Sequence, residues 1–178
     1  MSRLLLILTG PPGAGKDTVG RYLSDYFGFT HISSHQIATK GLDYNAGRSI
    51  NDANLKFELD RLFFGHDSAK VSMSWAISNH PGETSRVKWL LALSAKHRFR
   101  IIQIHLLANA NVLLERVPSV DRARAGKISN PGKLMELLRD FSYNQKISHI
   151  RRYEISQTAE MDELAVFWEV QIILKQLL

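Results

Sequence analysis

Three glycines and a lysine determine what chemistry this chain can do. Gly10, Gly13 and Gly15 lead to Lys16 in the run Gly10-Pro11-Pro12-Gly13-Ala14-Gly15-Lys16-Asp17-Thr18. Glycine permits positive φ and keeps side chains away from a guest. The peptide N–H groups of such a loop converge on one point, and a helix that follows adds the partial positive charge of its N-terminus there. Lys16 supplies a mobile full charge for the outer phosphates of a nucleotide. The spacing Gly-x-x-x-x-Gly-Lys is that of a phosphate-cradling loop, which requires a strand before it and a helix after it. Gly10, Gly13, Ala14, Gly15, Lys16, Asp17 and Thr18 are therefore the expected nucleotide-binding residues.

In such loops a hydroxyl directly after the lysine touches the Mg²⁺ that travels with ATP. Here that position is Asp17, and the hydroxyl comes one residue later at Thr18. Two readings of Asp17 stand side by side. It is an acid that favours a helix N-terminus, or a carboxylate that holds the magnesium directly or through water. Asp17 and Thr18 are the candidate metal-side residues.

The elements that must position these groups can be read from periodicity. Residues 3–9 are apolar on both faces, as a buried parallel strand should be. A helix is expected from Val19-Gly20-Arg21-Tyr22-Leu23 to about Phe27, with Gly28 as its C-cap. Further strands are expected at 29–32, 71–77, 101–107 and 153–156. Helices are expected at 36–40 behind Ser33-Ser34, and at 50–64, 83–97 and 111–117. Asn130-Pro131 makes a good start for another, with asparagine as cap and proline in the first turn. The last helix, 161–177, is apolar over most of its girth and is expected to pack on the sheet. Residues 118–129 lack apolar periodicity and read as an exposed mobile segment. Strands alternating with helices imply an α/β three-layer sandwich around a parallel sheet of about five strands. Ligands of such sheets bind beyond the carboxyl ends of the strands.

The 178 residues suit one domain. With no cysteine there is neither a disulfide framework nor a thiolate metal site. No stretch approaches the ~20 apolar residues of a membrane span, so a cytoplasmic protein is expected. The formal charge of +6 suits polyanionic ligands, whether nucleotide or nucleic acid. It concentrates between Arg116 and Arg152, where Arg122, Arg124, Lys127, Lys133, Arg139, Lys146 and Arg151 outnumber Asp121, Glu136 and Asp140. His31 and His35 straddle a strand end and a helix start, so a metal shared by the two is not expected. Trp75, Trp89 and Trp168 are expected in core or helix-packing surfaces.

Taken together, these segments resemble a P-loop nucleoside monophosphate kinase of the adenylate kinase type. The loop Gly-Pro-Pro-Gly-Ala-Gly-Lys-Asp-Thr is similar to that family's loop, in which the hydroxyl also falls two places after the lysine. Phe29-Thr30-His31-Ile32-Ser33-Ser34 resembles its second strand, Asn79-His80-Pro81 lies at its turn after strand three, and Leu113-Leu114-Glu115-Arg116 resembles the helix before its lid. The chain departs from the pattern in four places. Ser78 stands for an aspartate, Gly82 for an arginine, Arg86 for an adenine-reading glutamine and Thr39 for a phosphate-binding arginine, with Lys40 adjacent.

The resemblance implies a P-loop NTPase-type fold with an acceptor-binding helical segment near 33–65 and a short lid near 118–130. It implies ATP as donor with Mg²⁺, Lys16, Arg122 and Arg124 as catalytic residues, and Arg116 at the nucleotide. Ser34, His35, Lys40, Arg86 and Arg139 would face the acceptor; Lys40 and Arg86 restore charge there or remain solvated helix charges. Phosphoryl transfer needs alignment and charge stabilisation above all. The expectation is an ATP-dependent phosphotransferase acting on a nucleoside or deoxynucleoside monophosphate. The alternatives are a kinase of a non-nucleotide metabolite, an NTP hydrolase, or a nucleotide-dependent RNA-binding module gripping through the Arg116–Arg152 region. Ser78 also leaves open a form that binds ATP without turnover.

Overall fold

The computed structural model describes residues 3–33, 48–65, 69–75, 81–118, 129–140, 147, 149–158 and 161–178. Among the described residues the strands are β1 (Arg3–Thr9), β2 (Thr30–Ser33), β3 (Lys70–Ser74), β4 (Phe99–Ala108) and β5 (Arg151–Gln157). The helices among them are α1 (Lys16–Phe27), α2 (Arg48–Phe64), α3 (Pro81–Lys96), α4 (Ala110–Arg116), α5 (Pro131–Asp140) and α6 (Glu163–Leu177). Every strand pairing is parallel, in the order β2-β3-β1-β4-β5. β1 is thus the central strand. Among the described residues no helix is long and apolar enough to cross a membrane.

Successive side chains of a strand point to opposite faces, and β1 is buried on both. Leu4, Leu6 and Leu8 enter one core with Val19 and Leu23 of α1, Leu113 of α4, Leu134 of α5 and Val170 of α6. Leu5 and Ile7 enter a second core with Leu59 and Phe63 of α2 and Leu90 and Leu93 of α3. These two cores are the outer interfaces of the three-layer sandwich. Tyr22 of α1 stacks on Phe167 of α6 at a centroid distance of 4.0 Å, which holds the phosphate-loop helix to the C-terminal one.

Several boundaries differ from the sequence reading. β3 spans Lys70–Ser74, where Leu8 pairs with Ser74 and the Trp75 N–H bonds the Leu8 carbonyl at 2.8 Å, and residues 76–77 of the expected strand lie outside the described residues. β4 is longer than 101–107, since β1 pairs with it from Phe99 and β5 as far as Ala108. α6 begins at Glu163, where the Asp162 carboxylate accepts from the Ala165 N–H at 2.8 Å and caps the helix. Asn130 caps α5 as its sequence implied, accepting from the Lys133 N–H at 3.2 Å. Trp75 is buried, and Trp89 is half-buried against the second core. Trp168 is a correction: it is 62% exposed, because Val166, Val170, Ile173 and Leu174 already turn the apolar face of α6 to the sheet. The expected helix at 36–40 and the segment 119–128 lie outside the described residues.

Candidate functional site

The phosphate loop leaves the carboxyl end of β1, where parallel sheets bind their ligands. Gly10, Gly13 and Gly15 all have positive φ, at 140°, 90° and 83°. Gly10 is the residue that sterics demand most. A Cβ there would lie 2.3 Å from the Leu106 carbonyl oxygen of β4, so the loop can cross the neighbouring strand only as glycine. Gly15 then serves as N-cap of α1, and the Val19 N–H bonds its carbonyl at 2.9 Å. The first turn of α1 therefore points its N–H groups into the loop.

Lys16 folds back over this loop. Its Nζ donates to the Gly10 carbonyl at 2.8 Å and to the Pro11 carbonyl at 2.9 Å. The ammonium is thereby held above the loop backbone, where a polyphosphate would meet it. Ala14 sits at the loop's inner face, 1% exposed, and packs in the core with Leu113 and Val117.

A glutamine that the sequence reading did not single out fastens this assembly. Gln157, the last residue of β5, donates from Nε2 to the Ala14 carbonyl at 2.9 Å, and its Oε1 accepts from Arg116 Nη1. Gln157 is 4% exposed. The guanidinium at the end of α4 is thus tied through one amide to the phosphate loop. No signal in the sequence marks Gln157, since its partners lie far away along the chain.

On the α1 side of the sheet a second polar group adjoins the first turn. The parallel register sets His31 beside Ser72 and Ser33 beside Ser74. His31 Nδ1 lies 3.0 Å from Ser72 Oγ, and its Nε2 lies 3.3 Å from Ser74 Oγ and 3.7 Å from Asp17 Oδ1. Asp17 and Thr18 are both half-buried. On the opposite face, Thr9, Gln103 and His105 form a fully buried network: Thr9 Oγ1 is 2.8 Å from His105 Nδ1, and Gln103 Nε2 donates to Thr9 Oγ1 at 2.9 Å. Hydrogen bonding of this kind offsets the cost of burying polar groups. It fixes the residue that precedes the loop.

Of the acceptor-side and lid residues, Arg139 is exposed in the last turn of α5, one residue beyond the buried Leu138. Arg86 falls within α3, with its side chain outside the described set. Ser34, His35, Lys40, Arg122 and Arg124 lie outside the described residues. A cleft between α2 and α3 is lined by Lys56, Phe57, Asp60, Trp89 and Lys96. Those helices cover the sheet face away from α1.

The AAA domain family matches residues 6–130 of the chain. Adenylate kinase of Prochlorococcus marinus (strain MIT 9515) is 32% identical over 92 residues, which are 48% of this chain and 50% of that protein. The match spans half the length of that relative. A Chloroflexus aurantiacus protein inferred to be a kinase superposes with a TM-score of 0.68 at 19% identity, covering 97% of this chain and 98% of its own. A gluconokinase from Sinorhizobium meliloti does so with a TM-score of 0.62 at 16% identity, covering 99% and 94%. Shikimate kinase from Acinetobacter baumannii gives 0.53 at 22% identity, again covering 99% and 94%. At these identities the structural likeness speaks for the fold, a parallel α/β sheet with a phosphate loop.

Proposed function

Because the chain belongs to the AAA domain family, we propose that it is an ATP-dependent phosphotransferase whose acceptor is a nucleoside or deoxynucleoside monophosphate. The observation that carries this reading is the phosphate loop itself, with Lys16 held over its backbone by the Gly10 and Pro11 carbonyls and Arg116 tied to it through Gln157. The identity with adenylate kinase supports the choice of acceptor class.

In this reading the loop N–H groups and Lys16 hold the β- and γ-phosphates of ATP. When ATP binds, Lys16 leaves the Gly10 and Pro11 carbonyls for the phosphate oxygens, which carry full charge and make the stronger bonds. Arg116 lies along the donor. Arg122 and Arg124 approach the moving phosphoryl group from a lid at 118–130, and Ser34, His35, Lys40, Arg86 and Arg139 receive the acceptor. A single domain then carries both subsites.

Magnesium fits the residues present. The first turn of α1 offers two oxygen-bearing side chains, Asp17 and Thr18, half-buried beside the loop, which is the donor type a hard divalent cation selects. When bound there, Mg²⁺ would neutralise charge building between the β- and γ-phosphates.

The experiment is a coupled assay of ADP release from Mg-ATP across the common nucleoside and deoxynucleoside monophosphates. Gluconate, shikimate and an RNA oligomer serve as competing arms. One monophosphate is expected to raise turnover well above the acceptor-free rate, with Lys16→Ala lowering kcat by about 10²–10³. Turnover with a sugar acid alone would move the reading to a metabolite kinase, and ADP release that ignores every acceptor would move it to a hydrolase.

A further inference from the structure

The histidine at the edge of the loop helix has no place in the mechanism above, yet it is built into the fold with care. His31 comes from β2, an edge strand, and its ring passes over α1. Gly20 makes room for it. A Cβ on Gly20 would fall 2.0–2.3 Å from three ring atoms of His31, so any other residue there would expel the ring. A glycine inside a helix costs about 1 kcal/mol relative to alanine. The chain accepts that cost at the one point of α1 where the ring lies.

Both ring nitrogens are engaged. Nδ1 lies 3.0 Å from the Ser72 hydroxyl and Nε2 3.3 Å from the Ser74 hydroxyl, so the two serines seat the ring on the sheet and leave its Nε2 edge facing Asp17 Oδ1 at 3.7 Å. The side chain is 10% exposed. Asp17 stands three residues before Gly20 on α1, and residues so spaced share a helix face. The carboxylate is therefore brought to the ring by the same helical geometry that lets the ring in. On β3 the side chains on the α1 face are Lys70, Ser72 and Ser74, none of them an acid.

We propose that His31 is a positioning residue for Asp17: it fixes the carboxylate of the first turn of α1 to the sheet, so that a nucleotide-bound divalent cation meets an oriented ligand. This rests on the reading of Asp17 as a metal-side residue. Groups that hold a metal's ligand in place are worth about 10–100-fold in metal affinity in other sites.

The test uses Mn²⁺ as the probe, with a non-hydrolysable ATP analogue, followed by electron paramagnetic resonance and by calorimetry. Against the parent, His31→Ala is expected to weaken Mn²⁺ retention in the nucleotide complex by about tenfold and to broaden its spectrum. Its affinity for metal-free nucleotide stays within about twofold, below the ~1.4 kcal/mol of a tenfold change. His31→Gln, which keeps an N–H donor near the position of Nε2, is expected to recover most of the loss. Asp17→Asn is expected to lose at least as much as His31→Ala, and the double variant no more than Asp17→Asn alone. Should His31→Ala fail to fold, Ser72→Ala with Ser74→Ala releases the ring at both nitrogens and is expected to produce the same Mn²⁺ signature.

Unchanged Mn²⁺ affinity and spectrum in a folded His31→Ala or double-serine variant overturns the proposal. So does an equal loss of metal-free nucleotide. A parent that binds neither nucleotide nor its Mn²⁺ complex overturns the kinase reading, and this inference with it.

Discussion

Gln157 reaches back 143 residues to hold the Ala14 carbonyl. The same amide accepts from Arg116, so a single side chain at the end of β5 sets both the shape of the phosphate loop and the position of a guanidinium. Gln157→Ala removes one neutral and one charge-assisted hydrogen bond from a buried setting. A loss of about 2.5–4 kcal/mol in stability is expected, from roughly 1 for the neutral bond and about 1.5–3 for the charged one. Urea denaturation measures it. ATP affinity is expected to fall in parallel, whereas an exposed change such as Arg139→Ala should leave stability within about 0.5 kcal/mol.

Gly10 offers a sharper expectation. An alanine there places its Cβ against the Leu106 carbonyl, at a separation no real contact tolerates, and does so on a backbone with φ of 140°. Either the loop or β4 must shift. Gly10→Ala is expected to destabilise by about 3 kcal/mol or more, in the range of overpacking and backbone strain combined, and to abolish nucleotide binding measured by calorimetry. Gly15→Ala meets no neighbouring atom within 4 Å, so its cost comes from φ alone and is expected to be smaller.

On the far side of the sheet, Asp60 of α2 accepts from His97 at 3.0 Å and from Lys96 at 3.3 Å. The His97 hydrogen bond, aided by that of Lys96 and by both charges, holds its carboxyl below the ordinary 3.8. A carboxylate whose folded value is depressed contributes stability above its unfolded value and loses it as the pH falls through the folded one. Asp60→Asn is therefore expected to lower the denaturation midpoint at pH 7, with the difference from the parent closing in acid. Thermal melts of both proteins from pH 7 down to pH 2.5 check this, and a gap that stays constant would contradict it.

The loop, β1 and α1 were legible from residues 3–28 alone, because glycine spacing and an unbroken apolar strand are local signals. The cap at Asn130 was legible for the same reason. Strand ends were less so, since β4 extends where two neighbours support it, a limit not written in its own residues. The outward turn of Trp168 follows from which face of an apolar helix meets the sheet, a tertiary choice. Gln157 and His31 were illegible as site residues for a deeper reason. A glutamine and a histidine are ordinary surface types, and only the register of the sheet and the bare Cα of Gly20 bring them to the loop helix.

The central place of β1 has a bearing on how the protein is made. Its two flanking strands are β3 and β4, and its register with β4 runs from Arg3 against Phe99 to Thr9 against His105. A ribosome that has released only the first 65 residues has exposed every letter of the phosphate motif but neither strand that braces it. The capacity to grip a nucleotide should thus emerge abruptly during synthesis, once β4 has cleared the exit tunnel, long after the residues that spell it have been joined.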